Sequence, residues 1–154
     1  SRSRADKHYT AGLDLQNQRR YTKAIAEYNV AIRLNPHHAS AYNNRGFSYD
    51  ELGELKRALA DYSEAIRLGP KGTLYYNNRG GTYFKLGQYQ RAIQDYDHAI
   101  KLNPQLVQTY MNRAMAHTNL GDDTAAEKDV DLAVKNGADR ASLERILESI
   151  KDRR

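Results

Sequence analysis

Five histidines and the carboxylates are the residues of this 154-residue chain that could support acid–base or metal chemistry. No two histidines stand four residues apart, and no H-E-x-x-H pattern is present. His37 and His38 fall beside Pro36, where neighbouring side chains diverge. The chain has no Cys, so thiolate zinc sites and cysteine nucleophiles are excluded. The sequence therefore predicts no enzyme active site, no metal site and no cofactor.

Two charged series form the strongest chemical pattern. Arginine recurs every 34 residues, at Arg45, Arg79 and Arg113. A carboxylate recurs at the same interval, at Glu27, Asp61, Asp95 and Asp129. Regularly repeated acids and bases indicate a ladder of charge-assisted hydrogen bonds between packed helices.

The elements that position these charges repeat with the same period. The three prolines, Pro36, Pro70 and Pro104, are 34 residues apart, and each follows a tetrapeptide of the type Ile-Arg-Leu-Asn. With the proline at position 32, the repeats are 5–38, 39–72, 73–106 and 107–140, followed by 141–154. Such self-similarity predicts a solenoid of helical hairpins. Position 15, which ends the first helix of a hairpin, holds Gly53, Gly87 and Gly121.

Small residues at matched positions explain how the two helices of a repeat pack. Position 8 holds Gly12, Gly46, Gly80 and Ala114, and positions 20 and 27 hold alanine in all four repeats. These small side chains let the helix axes approach closely. Tyrosines recur at positions 4, 11 and 24, and their helical spacing beside small residues predicts a core role.

This pattern of glycine or alanine, alanine, proline and aromatic residues resembles the tetratricopeptide repeat (TPR) family, over essentially the whole chain. The resemblance implies an all-α fold, a right-handed superhelical solenoid of four antiparallel helix pairs plus a C-terminal capping helix at 141–154. The fourth repeat is degenerate, with His117, Val130 and Ala138 at positions 11, 24 and 32. In the capping helix, the apolar residues Leu143, Ile146, Leu147 and Ile150 follow i, i+3, i+4, i+7 spacing, which predicts one stripe over the last repeat.

The first repeat suggests how the charged ladder is paired. It has Ala11 instead of arginine but keeps Glu27, which would lack a partner if pairing stayed within the repeat. We therefore predict that each acid pairs with the arginine of the following repeat. The expected pairs are Glu27–Arg45, Asp61–Arg79 and Asp95–Arg113, and their role would be structural.

The resemblance also implies a non-catalytic protein–protein interaction module, in which the first helices line a concave groove for an extended peptide or a partner helix. The candidate peptide-binding residues are Asn43, Asn44, Phe47, Asn77, Asn78, Phe84, Met111, Asn112 and Met115. A carboxamide offers donors and an acceptor together, so it can bridge a peptide backbone while the apolar residues receive side chains. Gly81 would open a shallow pocket in this groove. The alternative is that the amides serve helix-to-helix contacts.

One family mechanism does not carry over. Members that bind chaperone tails hold the C-terminal carboxylate with two lysines, an arginine and two asparagines. The matching positions from the first repeat hold Tyr9, Leu13, Asn44, Leu74 and Asn78. Only the middle asparagine is kept, so the sequence does not favour chaperone-tail binding by this clamp.

Composition says less about partners. The 24 Lys and Arg and 19 Asp and Glu leave a net charge of +5, spread along the chain, which favours a solvated surface over a nucleic-acid footprint. The predicted groove carries Asp50 and Glu51 against Lys85, which also disfavours RNA. Self-association into a homo-oligomeric scaffold is the competing function, and an identified protein partner does not follow from these residues.

Membrane insertion is not predicted either. No stretch without Asp, Glu, Lys or Arg exceeds eleven residues, whereas a membrane-spanning helix needs about 20 apolar residues. The Cys-free composition suits the cytoplasm and the periplasm equally. The chain begins at Ser1 without Met, which leaves room for a leader or a longer N-terminus that has been removed.

Overall fold

The computed structural model describes residues 3–154, and this part of the chain contains nine α-helices and no strand. The helices are α1 (Arg4–Asn17), α2 (Tyr21–Leu34), α3 (Ala39–Glu51), α4 (Leu55–Leu68), α5 (Thr73–Lys85), α6 (Tyr89–Leu102), α7 (Val107–Asn119), α8 (Asp123–Lys135) and α9 (Arg140–Arg153). The predicted all-α helical repeat is thereby confirmed. Packing divides the chain after Thr82 into two compact parts, called here the N-terminal half and the C-terminal half.

The first helix of each hairpin ends on a left-handed residue. Gly53, Gly87 and Gly121 have φ values of 80°, 74° and 79°. In the first repeat Arg19 takes this conformation, with φ 59°. The next residue donates its N–H to the carbonyl five residues back, as Glu54 does to Tyr49 at 2.9 Å. This is the closure of a Schellman motif. The turn forms even without glycine, which indicates that helix packing enforces it.

The second helices of the first three repeats end two residues before Pro36, Pro70 and Pro104, as predicted. The N–H of His37 donates to Asn35 Oδ1, and the N–H of Gln105 donates to Asn103 Oδ1, each at 3.1 Å. Since proline has no N–H to continue a helix, these asparagine turns replace the lost intrahelical bonds.

The predicted core lies between the paired helices. The alanines at positions 20 and 27 are at most 2% exposed, and Tyr28, Tyr62 and Tyr96 at position 24 are at most 1% exposed. Burial raises the pKa of all three tyrosine hydroxyls, which keeps them uncharged. A Cβ added at Gly12 would come within 2.5 Å of Cε1 of Tyr28. The tyrosine ring therefore occupies the space that glycine leaves.

Two glycine substitutions are expected to have opposite effects. Gly12→Ala should lower the free energy of unfolding by about 1–3 kcal/mol, because the buried Tyr28 ring cannot move freely. Gly81→Ala should raise it by about 1 kcal/mol, because alanine favours the helix and a Cβ there meets no atom within 4 Å. Urea unfolding of the full chain measures both changes. Equal shifts in the two variants would contradict the different surroundings of these glycines.

The last helix, α9, covers the C-terminal half. Leu143, Leu147 and Ile150 are at most 4% exposed and pack in the same core cluster as Tyr110. Ile146 is 39% exposed, so its predicted place in the buried stripe is wrong. At 3.6 residues per turn, Ile146 points about 60° away from the centre of the other three residues.

A carboxylate cap begins α9. Asp139 accepts hydrogen bonds from the N–H and the hydroxyl of Ser142. The bond from the Ser142 hydroxyl, followed by that from its backbone, holds the pKa of Asp139 below its ordinary value. Across the described residues, we find no helix with the length and apolar character that crossing a membrane would require.

Candidate functional site

The arginine–carboxylate pairs form within repeats. Arg45 donates from Nε and Nη2 to the two oxygens of Asp61, both at 2.8 Å. Arg113 donates from the same atoms to Asp129 at 2.6–3.1 Å. The predicted pairing with the following repeat is therefore wrong at Arg45 and Arg113, and Asp61 binds Arg45 instead of Arg79. The reason is geometric, because the antiparallel α3–α4 and α7–α8 pairs place residues 16 positions apart side by side.

The first repeat has its own partner for Glu27. Its Oε2 lies 2.7 Å from Nδ1 of His8, which stands where later repeats have tyrosine. Glu27 thus has a partner within its own repeat, although Ala11 replaces the arginine there. The predicted pair Glu27–Arg45 is wrong because His8, at another position of α1, supplies the donor.

The remaining guanidinium nitrogen does reach the preceding repeat. Nη1 donates from Arg45 to Asn29, from Arg79 to Ser63 and from Arg113 to Asp97, at 3.0, 3.2 and 2.7 Å. Each arginine therefore joins its own hairpin to the second helix before it, but at a position that the sequence reasoning missed.

The carboxylates of these two pairs are buried. Asp61 is 6% exposed and Asp129 is 2% exposed. The hydrogen bond to Asp61 raises the pKa of the Arg45 guanidinium, whose carbon also lies 5.5 Å from the centre of the Tyr42 ring. Both oxygens of each buried carboxylate accept hydrogen bonds from the arginine of the same repeat. The described residues also contain no group of three His, Cys, Asp or Glu placed to hold a metal ion.

The nine candidate peptide-binding residues differ in exposure. Asn43 is buried, at 7% exposed, and the other eight are half-buried. The amide oxygen of Asn43 accepts a hydrogen bond from Nδ2 of Asn78 at 3.0 Å. Asn43 is therefore a helix-to-helix bridge in the N-terminal half, and its placement does not favour direct contact with a peptide.

Asn44 is also engaged inside the protein. Its Nδ2 donates to the hydroxyl of Tyr9 at 3.1 Å and to the carbonyl of Ser40 at 3.0 Å. Its Oδ1 accepts from Nε2 of Gln16 at 3.3 Å, and Gln16 in turn accepts from the hydroxyl of Tyr28 at 2.6 Å. Both amide hydrogens are used, so Asn44 serves the contact between α1 and α3. The alternative interpretation of the amides applies to Asn43 and Asn44.

Asn78 is different. Its one side-chain hydrogen bond, to Asn43, leaves an N–H and the amide oxygen without a partner among the described residues. Leu74, which is 57% exposed, lies one turn before it, and Gly81 lies one turn after it. The Leu74–Asn78–Gly81 stripe therefore combines an apolar side chain, an open amide and empty space on one face of α5.

The aromatic candidates are held by neighbouring rings. Phe47 meets Tyr21 edge-on at 6.3 Å between ring centres, and Phe84 meets Tyr89 edge-on at 5.2 Å. In the fourth repeat, Asn112 accepts a hydrogen bond from Nε2 of Gln108 at 2.9 Å. Phe47 and Phe84 are thus each packed against a tyrosine ring.

The C-terminal half contains a cleft that sequence reasoning did not anticipate. Its volume is about 700 Å³, and Phe84, Met115, Ile146 and Ile150 supply its apolar lining. Arg145 and Arg153 of α9 also line it. In the sequence, the cleft is indicated by Ile146, which stands at the edge of the apolar stripe of α9.

Comparisons with known proteins agree with this architecture. Models of the tetratricopeptide repeat match residues 9–73, 74–106 and 107–136. A curated relative, the Hsp70-Hsp90 organizing protein of Triticum aestivum, is 41% identical over 51 residues, which are 33% of this chain. The match spans only 9% of that protein's length.

Solved structures share the fold. A crystal structure of MamA has a TM-score of 0.83 and 21% identity, covering 86% of this chain and 78% of that one. The first TPR of Spaghetti (RPAP3), bound to an HSP90 peptide, has a TM-score of 0.74 and 24% identity, covering 76% and 93%. The TPR domain of Arabidopsis OM64 has a TM-score of 0.72 and 26% identity, covering 73% and 93%.

The matched residues run through the hairpins, the buried alanines and the buried tyrosines described above. TPR domains are generally non-catalytic and mediate contacts between proteins. With consecutive matches from residue 9 to residue 136 and nine helices in the described residues, this chain belongs to the tetratricopeptide repeat family.

Proposed function

We propose that this protein–protein interaction module binds an extended peptide on residues of its first helices, with the Leu74–Asn78–Gly81 stripe as the contact in the N-terminal half. The observation that carries the proposal is the open carboxamide of Asn78 beside the empty space over Gly81. A half-buried amide with one free donor and a free acceptor can hold one N–H and one C=O of a peptide backbone.

The neighbouring positions give this contact its shape. A peptide side chain directed at Gly81 meets no protein atom within 4 Å of where a Cβ would stand. Leu74 offers exposed apolar surface one turn before Asn78. A peptide with an apolar residue next to the peptide bond that Asn78 holds therefore buries that residue against Leu74. The contact therefore recognises backbone geometry first and one apolar side chain second.

The known relatives support a peptide ligand but not the same chemistry of recognition. The Spaghetti (RPAP3) domain holds an HSP90 peptide, SRMEEVD, on this fold. In the present chain, two positions of the carboxylate clamp hold Leu74 and Asn78 instead of cations. We therefore expect the stripe to bind neutral extended segments and not acidic chaperone tails.

Peptides selected from a random phage-displayed library on the full chain provide the test. Asn78→Ala should weaken their binding by about tenfold, since it removes two hydrogen bonds to the backbone. Gly81→Leu should weaken binding at least as much, because the side chain fills the open space. Fluorescence anisotropy measures affinity, and circular dichroism checks helicity.

Asn44→Ala is the matched control. Because its amide is saturated by Tyr9, Ser40 and Gln16, its loss should lower stability more than it lowers affinity. The double variant Asn44→Ala plus Asn78→Ala should bind no worse than Asn78→Ala alone once it is folded. Selection of no peptide, or of peptides that bind Asn78→Ala and Gly81→Leu as tightly as the native chain, would refute the proposal.

A further inference from the structure

The cleft in the C-terminal half is lined by residues of three helices whose side chains are only partly covered by the core. Phe84 at the end of α5, Met115 on α7 and Ile146 on α9 all line it. Phe84 is braced edge-on by Tyr89. Ile146 is 39% exposed although the other three apolar residues of α9 are buried. The cleft is therefore an apolar recess with a preformed shape.

Its rim is positively charged. Arg145 and Arg153 line the cleft, and no carboxylate does. The carboxylates nearest in sequence, Glu144, Glu148 and Asp152, line a second depression that the two arginines also border.

These two arginines are the cations of α9 that form no ion pair at contact distance among the described residues. Arg140 bonds Asp131 and Glu127, Lys151 bonds Glu148, and Arg154 bonds both oxygens of Asp123. Within the part of the chain that the structure describes, Arg145 bonds only the hydroxyl of Ser142, and Arg153 has no side-chain partner. Ion pairs thus account for the other basic residues of 140–154, namely Arg140, Lys151 and Arg154.

We infer that this cleft binds an acidic segment of a partner protein, with one bulky apolar side chain in the recess and a carboxylate on each arginine. Arg145 and Arg153 are eight residues apart, or about 12 Å along the helix axis. In an extended peptide, residues four apart are separated by about 13 Å. The complementary sequence is therefore two acidic residues flanking an apolar one, as in Glu-Ala-Leu-Ala-Glu.

This inference builds on the proposed role as a peptide-binding module but uses different residues. The Leu74–Asn78–Gly81 stripe is neutral and shares no residue with the lining of the cleft. Asn78→Ala should consequently leave binding at the cleft unchanged, and loss of the cleft should leave binding at the stripe unchanged. Failure of either site can thus be recognised separately.

The test uses a fluorescein-labelled Gly-Glu-Ala-Leu-Ala-Glu-Gly peptide and the full chain at low salt. Arg145→Gln plus Arg153→Gln should weaken binding about tenfold, the effect of losing two exposed ion pairs. Ile146→Ser should weaken it severalfold, and raising the salt to about 1 M should largely remove the contribution of the arginines. Lys151→Gln, which alters a paired cation on the same helix, should have little effect.

Charge exchange separates recognition from folding. Arg145→Glu plus Arg153→Glu should lose the acidic peptide and gain a Lys-Ala-Leu-Ala-Lys version, a reversal that mere damage to α9 would not produce. The inference is overturned if a Gln-Ala-Leu-Ala-Gln peptide binds the native chain equally well, or if Lys151→Gln matches the arginine variants. It is also overturned if the peptide binds nowhere and the cleft variants instead abolish a homodimer in sedimentation experiments.

Discussion

Arg113→Met should lower the free energy of unfolding by about 3–5 kcal/mol. Asp129 is 2% exposed and receives three hydrogen bonds from Arg113. Without the guanidinium, that carboxylate stays buried without its hydrogen-bonded partner, and the nearest other basic group is the His117 imidazole, with Nε2 at 3.9 Å. Methionine keeps most of the aliphatic stem, so the loss reports the charge and not the packing. Urea unfolding at pH 7 measures it.

Two further variants make this prediction specific. Arg67→Met removes an arginine whose ion pair with Glu64 is on the surface of α4, and should leave the free energy of unfolding nearly unchanged. Arg113→Met combined with Asp129→Leu should recover much of the loss, because an apolar pair needs no neutralisation. A double variant as unstable as Arg113→Met alone would show that the cost is not the stranded charge.

Leu143→Ala should lower the free energy of unfolding by about 2–5 kcal/mol. Leu143 is fully buried against the last repeat, where its loss leaves a cavity under α9. Ile146→Ala, one turn further along the same helix, should cost less than about 1 kcal/mol, because that side chain is 39% exposed. Thermal and urea unfolding of the two variants measure the contrast. Similar losses would mean that Ile146 belongs to the core and not to the cleft.

These two predictions concern how the proposed binding surfaces are positioned. The arginine–carboxylate pairs hold α3 on α4 and α7 on α8, and Leu143 holds α9 on the last repeat. A substitution at these places that lowers affinity therefore acts through position. Gly81, Arg145 and Arg153 contribute little to the core, so loss of affinity there reports direct contact. Asn78 also bonds the buried Asn43, so its effect on affinity is compared with its effect on stability.

Much of the fold was predictable because its determinants are local. Each hairpin is built by residues within one 34-residue period, such as Gly53 at the turn and Ala58 and Tyr62 in the core. The spacing of these residues is visible in the sequence because every repeat must solve the same packing problem.

The charged pairs show where periodicity stops being informative. Asp61 could bind Arg45 or Arg79, because both arginines recur with the same 34-residue interval. Only the distance between helices in the fold distinguishes the two pairings, and that distance cannot be derived from the 34-residue interval in the sequence. His8 stands at position 4, where later repeats have tyrosine, and it is the partner of Glu27. The 34-residue pattern of arginines and carboxylates does not predict this pair.

By itself, the amino-acid sequence determined the helices, their turns, the small-and-aromatic core and the membership of a repeat family, since each depends on contacts between residues close in the chain. Only the tertiary structure decided which arginine meets which carboxylate, that Asn43 and Asn44 are used internally while Asn78 is open, and that Ile146 lines a cleft. The physical reason is that hydrogen-bond saturation and exposure depend on how helices meet across space. A period along the chain does not contain that information.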